Sequence, residues 1–284
     1  MAAPGEATHF PDRIGLGTWE MGNGAAQRGR DIAAVSHALE VGYRVLDTAE
    51  MYADGGAERI IGSALRAFGA ARRAQLYIVS KVLPGNASRG GTVSACEASI
   101  GRMGCDYLDL YLLHWPGRHP FAETLRAFAE LQQRGLIRSF GVSNFDSDDL
   151  QRWLQAQKSL GLAAFTHCNQ LYYCAEARGI EFDLLPYQRA HGIATMAYSP
   201  LGRGSLTRHP LLLKLGSERG LSAAQIALAW CLREPDVMAI PKSVDPKRIE
   251  ENLAAAQLQL SGEELRLIDR AFPPPDSKRP LDMV

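Results

Sequence analysis

The chain has 284 residues, 46% of them hydrophobic, with 31 basic residues balancing 31 acidic ones. That length suits either two small domains or one α/β barrel. The even charge gives no footprint for a nucleic acid or a membrane surface, and no window is long and apolar enough to span a bilayer. The first residues, Met1 to Gly5, lack the basic start and apolar core of a secretion signal. The five cysteines, Cys96, Cys105, Cys168, Cys174 and Cys231, form no C-x-x-C pair. They read as free thiols in a reducing cytoplasm, with no metal site. His167-Cys168 falls inside an apparent strand, so Cys168 reads as a packed thiol and not a nucleophile. The expected state is a cytoplasmic monomer.

Strands and helices alternate along the chain. Short apolar runs predict buried parallel strands at residues 14–18, 43–47, 76–81, 107–114, 139–143, 166–170, 193–198 and 237–240. Helical patterns cover 31–41, 57–68, 92–103, 121–134, 147–157, 182–190, 222–233 and 246–256. Ser147-Asp148-Asp149 places acid at a helix start, Ser222 is a cap, and Pro246 and Ser261 stand near two further starts. Gly135 and Gly192 fit helix stops. Residues 201–220 form a long excursion between the seventh strand and its helix. Residues 262–272 make an extra helix, which Pro273-Pro274-Pro275 ends. Eight strand–helix units without a linker predict an α/β fold, a single-domain (β/α)8 TIM barrel over residues 1–284, with a short lead at 1–9 and a tail at 273–284. An open doubly wound sheet is the rival; the strand count and the lack of a differently composed second half favour closure. Gly22-Asn23-Gly24-Ala25-Ala26-Gln27 imitates a dinucleotide-binding loop. It lacks the third glycine and stands several residues before its helix, so it reads as a flexible loop.

Catalytic residues of a barrel sit at the C-terminal ends of its strands. Asp47, Lys81 and His114 end the second, third and fourth strands, and Tyr52 follows five residues after Asp47. Each alone has a plainer explanation: a cap, a hydrogen-bonded core residue, a packing ring. A lysine ending an apolar strand nevertheless needs a partner, and Asp47 supplies one if the two strands are neighbours. Their joint arrival on one rim marks a site.

The chain also resembles the aldo-keto reductases. The resemblance rests on Asp47-Thr48-Ala49-Glu50-Met51-Tyr52 with residues 55–58, Ser80-Lys81-Val82, Asp106-Tyr107-Leu108-Asp109-Leu110-Tyr111-Leu112-Leu113-His114-Trp115-Pro116, Gly141-Val142-Ser143-Asn144-Phe145 and Asn169-Gln170. It continues through Tyr198-Ser199-Pro200-Leu201-Gly202-Arg203-Gly204 and Ile240-Pro241-Lys242-Ser243, with Arg248, Glu251 and Asn252 behind. It runs from about residue 10 to the C-terminus, and many motifs in the right order make it specific. Within the family the chain is similar to short bacterial members, methylglyoxal-reducing ones among them; the closing Leu281-Asp282-Met283-Val284 agrees.

The resemblance implies reduction of aldehydes or ketones with NADPH, methylglyoxal and other small dicarbonyls included. It implies Tyr52 as proton donor, Lys81 stabilising its phenolate, Asp47 keeping Lys81 charged and His114 orienting the substrate oxygen. Ser143, Asn144 and Gln170 would hold the nicotinamide carboxamide, and Tyr198 would stack under the ring. Ser199, Leu201, Gly202, Arg203 and Ser205 would wrap the pyrophosphate, with the glycines admitting it closely. Lys242, Ser243 and Arg248 suit a 2′-phosphate, hence NADPH over NADH, and Glu251 and Asn252 complete the cofactor set. Trp19 and Trp115 would line the substrate pocket. After Asn169-Gln170 the run Leu171-Tyr172-Tyr173-Cys174-Ala175 departs from the common family pattern and puts the local loop shape in doubt, and a short tail leaves the pocket more open. An NADPH-binding sensor with little turnover is the alternative from another class. A phosphate-binding barrel isomerase is a third, and it leaves residues 242–252 without a purpose.

Overall fold

The computed structural model describes residues 10–162 and 165–283. The expected lead at 1–9 and the last residue, Val284, lie outside the described residues. Eight parallel strands pair in chain order: β1 (Leu16–Gly17), β2 (Val45–Asp47), β3 (Tyr77–Val82), β4 (Leu108–Leu113), β5 (Ile137–Ser143), β6 (Cys168–Tyr172), β7 (Ala194–Tyr198) and β8 (Val237–Ala239). A parallel bridge from Ile14 to Ala239, with Gly15 N donating to Ala239 O at 2.9 Å, closes the ends into a barrel. The fold is the expected (β/α)8 barrel, ringed by α1 (Ala25–Glu40), α2 (Gly56–Phe68), α3 (Arg89–Met103), α4 (Phe121–Gln133), α5 (Ser147–Ser159), α6 (Leu184–Ala190), α7 (Pro210–Arg219), α8 (Ala223–Cys231), α9 (Pro246–Ala254) and α10 (Gly262–Ala271). Among the described residues no helix is long and apolar enough to cross a membrane.

The period of two in each strand divides its side chains between two cores. One parity packs outward against helices, as Tyr111 does on Phe128 with ring centroids 5.7 Å apart. The other fills the barrel, where Val45, Val79, Leu110, Leu112, Cys168, Ala194, Met196 and Met238 meet. Two residues further along each strand, the same inward parity reaches the C-terminal mouth. It carries Asp47 above Val45, Lys81 above Val79, His114 above Leu112, Gln170 above Cys168 and Tyr198 above Met196. Parallel pairing of β2 with β3 and of β3 with β4 makes the first three neighbours.

Several local expectations need correcting. Helix α1 begins at Ala25, six residues early, with Gly24 as its N-cap. Residues 25–27 are therefore helical and not a flexible loop; that turn is exposed on all sides, so no apolar periodicity announces it. The excursion 201–220 falls where expected, between β7 and α8, and holds two 3-10 turns and then α7, whose start is Pro210 at its first position. The sixth strand runs from Cys168 to Tyr172, two residues beyond the predicted span, so Leu171 and Tyr172 continue the strand. Helix α5 starts at Ser147 with Asp148 and Asp149 in its first turn and α9 starts at Pro246, both as read; their caps are Asp146, which accepts from Asp149 N, and Asp245. Ser222 and Ser261 are caps as read, each within a capping box. The tail is irregular; Lys278 pins it through Ser147 Oγ at 2.9 Å, with Asp148 and Asp183 nearby.

Candidate active site

Backbone strain concentrates at the C-terminal mouth. Among the described residues, six that are not glycine have positive φ: Glu20, Ala53, Asp54, Asn144, Ser199 and Arg203. All six lie on segments that follow strands at that end. Strain held in place this way is common where a fold is shaped by function.

Lys81 is at the centre. It is fully buried, and its Nζ donates to Asp47 Oδ1 and Oδ2 at 2.9 Å each, to Thr48 O at 2.8 Å and to Tyr52 Oη at 3.2 Å. The three protons of the ammonium are thus all used, two within the protein's interior and one on the phenol. The Tyr52 ring lies edge-on to the His114 imidazole, with centroids 5.9 Å apart. The loop carrying Tyr52 is bound to β3: Glu50 N reaches Lys81 O, and Glu50 Oε1 accepts from Leu83 N at 2.6 Å and Asn86 Nδ2 at 3.0 Å. The structure therefore brings together Asp47, Tyr52, Lys81 and His114.

The electrostatics follow from burial and the ion pair. Burial lowers the Lys81 ammonium, but Asp47 and Tyr52 outweigh it and the net shift is upward, so the ion pair favours the charged form of Lys81. Burial raises the Asp47 carboxyl above the ordinary value, with Lys81 and Gln170 opposing. Burial likewise raises the Tyr52 phenol, while the adjacent Lys81 pulls it down. Tyr52 is thus protonated at neutral pH, beside a cation that would stabilise its anion. Burial, with Lys81 adding to it, drives the His114 imidazole down to about 2, so the ring is neutral. Among the described residues, its buried Nδ1 has no partner. An unpaired lone pair is the milder defect, which puts the ring proton on Nε2.

Of the other expected residues, Ser143, Asn144, Gln170 and Tyr198 form one hydrogen-bonded network. Ser143 Oγ donates to Gln170 O at 2.9 Å. Asn144 Nδ2 donates to His114 O and to Ser143 Oγ at 3.1 Å each, and its Oδ1 accepts from Tyr198 Oη at 2.9 Å. The Tyr198 ring leans on Tyr172, centroids 5.6 Å apart. Past β7, Ser199, Leu201, Gly202, Arg203 and Ser205 form one tight turn, in which Ser205 Oγ meets Gly202 O at 2.7 Å and also the Glu176 carboxylate. The Arg203 guanidinium stands over the Trp19 ring, 5.6 Å from its centroid. Trp115 is half-buried against His114, at 4.8 Å between centroids. Lys242 lies 4.0 Å from Glu20, and Ser243 Oγ accepts from Asp245 N at the start of α9, whose first turn carries Arg248. Asn252 is buried on that helix and Glu251 pairs with Lys247 at 3.7 Å. Cys168 packs in the barrel interior, and His167 lies below it against Phe10 and Tyr77, away from the mouth.

The sequence reading missed several supporting residues. Thr18 Oγ1 donates to Asp47 O at 2.9 Å. Glu58, fully buried on α2, accepts from Ser80 Oγ at 2.7 Å and pairs with Arg102 of α3, bracing β3 from behind Lys81. A signal existed: Glu58 stands at helical spacing from the buried Ile61 and Gly62, a place where an unpartnered acid would be costly.

Comparison with known proteins agrees with this architecture. The aldo/keto reductase family model matches residues 13–272. The chain belongs to the aldo/keto reductase family, whose reaction is the reduction of carbonyl groups. It is 42% identical over 276 residues to the methylglyoxal reductase YeaE of Escherichia coli K12, spanning 95% of this chain and 94% of that protein. It is 34% identical over 269 residues to a glyoxal reductase of Bacillus subtilis 168, spanning 93% and 92%. An aldo-keto reductase from Klebsiella pneumoniae, solved in complex with NADPH, is similar with a TM-score of 0.89 and 44% identity, covering 96% of this chain and 95% of that one.

Proposed function

We propose that the protein reduces small aldehydes and dicarbonyls such as methylglyoxal to alcohols, using NADPH, with Tyr52 as proton donor. The observation that carries this reading is the fully buried Lys81, whose ammonium is held by Asp47 and Thr48 and presents its remaining contact to the Tyr52 phenol, beside a neutral His114.

The mouth fits the cofactor. Left-handed turns at Asn144, Ser199 and Arg203 shape the groove, and Gly202 and Gly204, also at positive φ, admit close backbone approach. Ser143, Asn144, Gln170 and Tyr198 would hold its nicotinamide end, and Ser199, Leu201, Gly202, Arg203 and Ser205 its pyrophosphate. Lys242, Ser243 and Arg248 would hold a 2′-phosphate, with Glu251 and Asn252 alongside. NADPH, when bound, supplies the hydride. His114 Nε2–H aims the carbonyl oxygen. Tyr52 gives its proton to that oxygen as the alkoxide develops, and Lys81 stabilises the phenolate left behind. Asp47 in turn keeps Lys81 charged against desolvation. A positioned acid of this kind contributes about 10²–10⁴-fold. Trp19 and Trp115 give the substrate an aromatic wall. Discrimination by such a wall is only about 1–3 kcal/mol per methylene, which favours a broad range of small carbonyls. We read the protein as a cytoplasmic monomer, and its free thiols suit a reducing compartment.

The test is Tyr52→Phe, which removes one hydroxyl at nearly constant volume. NADPH affinity, measured by fluorescence titration, should stay within about threefold, whereas kcat for methylglyoxal should fall by at least about 100-fold. Near wild-type turnover would remove Tyr52 from the chemistry. Wild-type protein that binds NADPH but reduces nothing in a broad carbonyl panel would point to a sensor instead.

A further inference from the structure

Gln170 reaches across the barrel from β6 to β2. Its Nε2 donates to Asp47 Oδ1 at 2.7 Å and lies 2.8 Å from Met196 Sδ. Both Gln170 and Asp47 are buried, each 2% exposed. A carboxylate only accepts, so the amide must turn its NH2 toward Asp47. With the nitrogen committed, Oε1 is turned away from Asp47, and among the described residues no donor reaches it. Asp47, for its part, receives side-chain hydrogen bonds from Lys81 and Gln170 alone among the described residues.

We propose that Gln170 is a positioning residue for the catalytic ion pair: one end of its amide holds Asp47 against Lys81, and the other offers an acceptor to the carboxamide of the cofactor. One side chain thereby links occupation of the nicotinamide end of the groove to the charge that supports Tyr52. The cofactor half of this inference rests on the reading of the mouth as an NADPH site. The physical need is clear. A buried carboxylate with too few donors takes up a proton, and a protonated Asp47 would leave Lys81 without its counter-charge.

Gln170→Glu separates this role from a contact with cofactor alone. Protonated, the introduced carboxyl has the shape of the amide and can donate to Asp47. Ionised, it sets a second carboxylate at hydrogen-bond distance from the first, so its pKa is raised well above the ordinary value. The other titratable groups facing this point are Asp47 on β2, Lys81 on β3, Tyr52 in the loop after β2, His114 after β4, Cys168 on β6 and Tyr198 on β7. Lys81, Tyr52 and Cys168 are held above their ordinary values and His114 far below its own, so none of these four steps in the neutral range.

Whatever its absolute rate, the variant should lose at least about tenfold in kcat for methylglyoxal between about pH 6 and about pH 8.5, a step the wild type lacks. NADPH affinity should change little across the same range, because a carboxylate oxygen still accepts. The thermal midpoint of the variant should also fall as pH rises, since a carboxyl with a raised folded pKa loses stability through that value. Combining it with Asp47→Asn restores one amide and one carboxylate and should abolish the pH-dependence of the midpoint. A rate profile parallel to wild type, inactivity at every pH, or cofactor affinity lost at every pH without a step in kcat would overturn the proposal. So would a double variant no more stable than Gln170→Glu at alkaline pH, a comparison that holds even where the single variant folds poorly. If the wild type reduces no carbonyl, the reading of the site fails by itself, and the two thermal profiles still decide whether Gln170 holds Asp47.

Discussion

Lys81→Met tests the centre of the site through stability. The change keeps an unbranched side chain of similar size but removes an ammonium that is fully buried and donates to Asp47, Thr48 and Tyr52. Among the described residues, the Asp47 carboxylate is then left with one side-chain donor, the amide of Gln170. Breaking a buried pair from one side costs about 3–5 kcal/mol, because the partner's charge stays behind uncompensated. At about 2–4 °C per kcal/mol, the midpoint should drop by about 6–20 °C. The loss should depend on pH, and its sign is set by Asp47. Its carboxyl already sits above the ordinary value through burial, with Lys81 holding it down. Without Lys81 it rises further, while the unfolded value stays near about 3.9. A carboxyl with a raised folded pKa favours the native state below its unfolded value and loses that contribution as pH rises through the folded one. The variant should therefore be closer to wild type near about pH 5 than near about pH 8. Adding Asp47→Leu removes the stranded charge and should recover much of the loss. Urea and thermal melts followed by circular dichroism at the two pH values measure this. A loss under about 1 kcal/mol at the higher pH, or one equal at both, would refute the argument that Lys81 compensates a buried charge.

Two further predictions concern the groove and the imidazole. Replacing Lys242 or Arg248 by Ala should weaken NADPH binding by about 1.5–3 kcal/mol for each charged hydrogen bond lost and leave NADH affinity nearly unchanged; wild-type protein that binds both cofactors equally would show the 2′-phosphate assignment to be wrong. With His114 pushed down to about 2, its proton resonances, assigned by comparison with His114→Gln, should show no titration between about pH 5 and 9, and a step near the ordinary value of about 6.5 would contradict a neutral, buried ring.

Two kinds of information separate in this protein. Periodicity is local, and it placed the eight strands, most of the helices and the three strand ends that carry Asp47, Lys81 and His114 to one rim, whereas the inward parity that adds Gln170 and Tyr198 to it was visible only in the folded barrel. The same alternation that puts Val79 in the barrel puts Lys81 above it, so the ion pair of Lys81 with Asp47 was legible as soon as β2 and β3 were read as neighbours. Elements whose apolar face is weak escaped this reading. The first turns of α1 are exposed, and α7 sits in a connection, so neither imposes a clear pattern. Hydrogen-bond partners escaped it for a different reason. That Gln170 would donate to Asp47, 123 residues away, that Glu58 would brace Ser80 from behind, and that Thr48 would give Lys81 a carbonyl depend on barrel curvature, on the close approach of strands and on loop geometry. A polar side chain carries no period that names its partner, and only the closed barrel brings these groups within reach of one another.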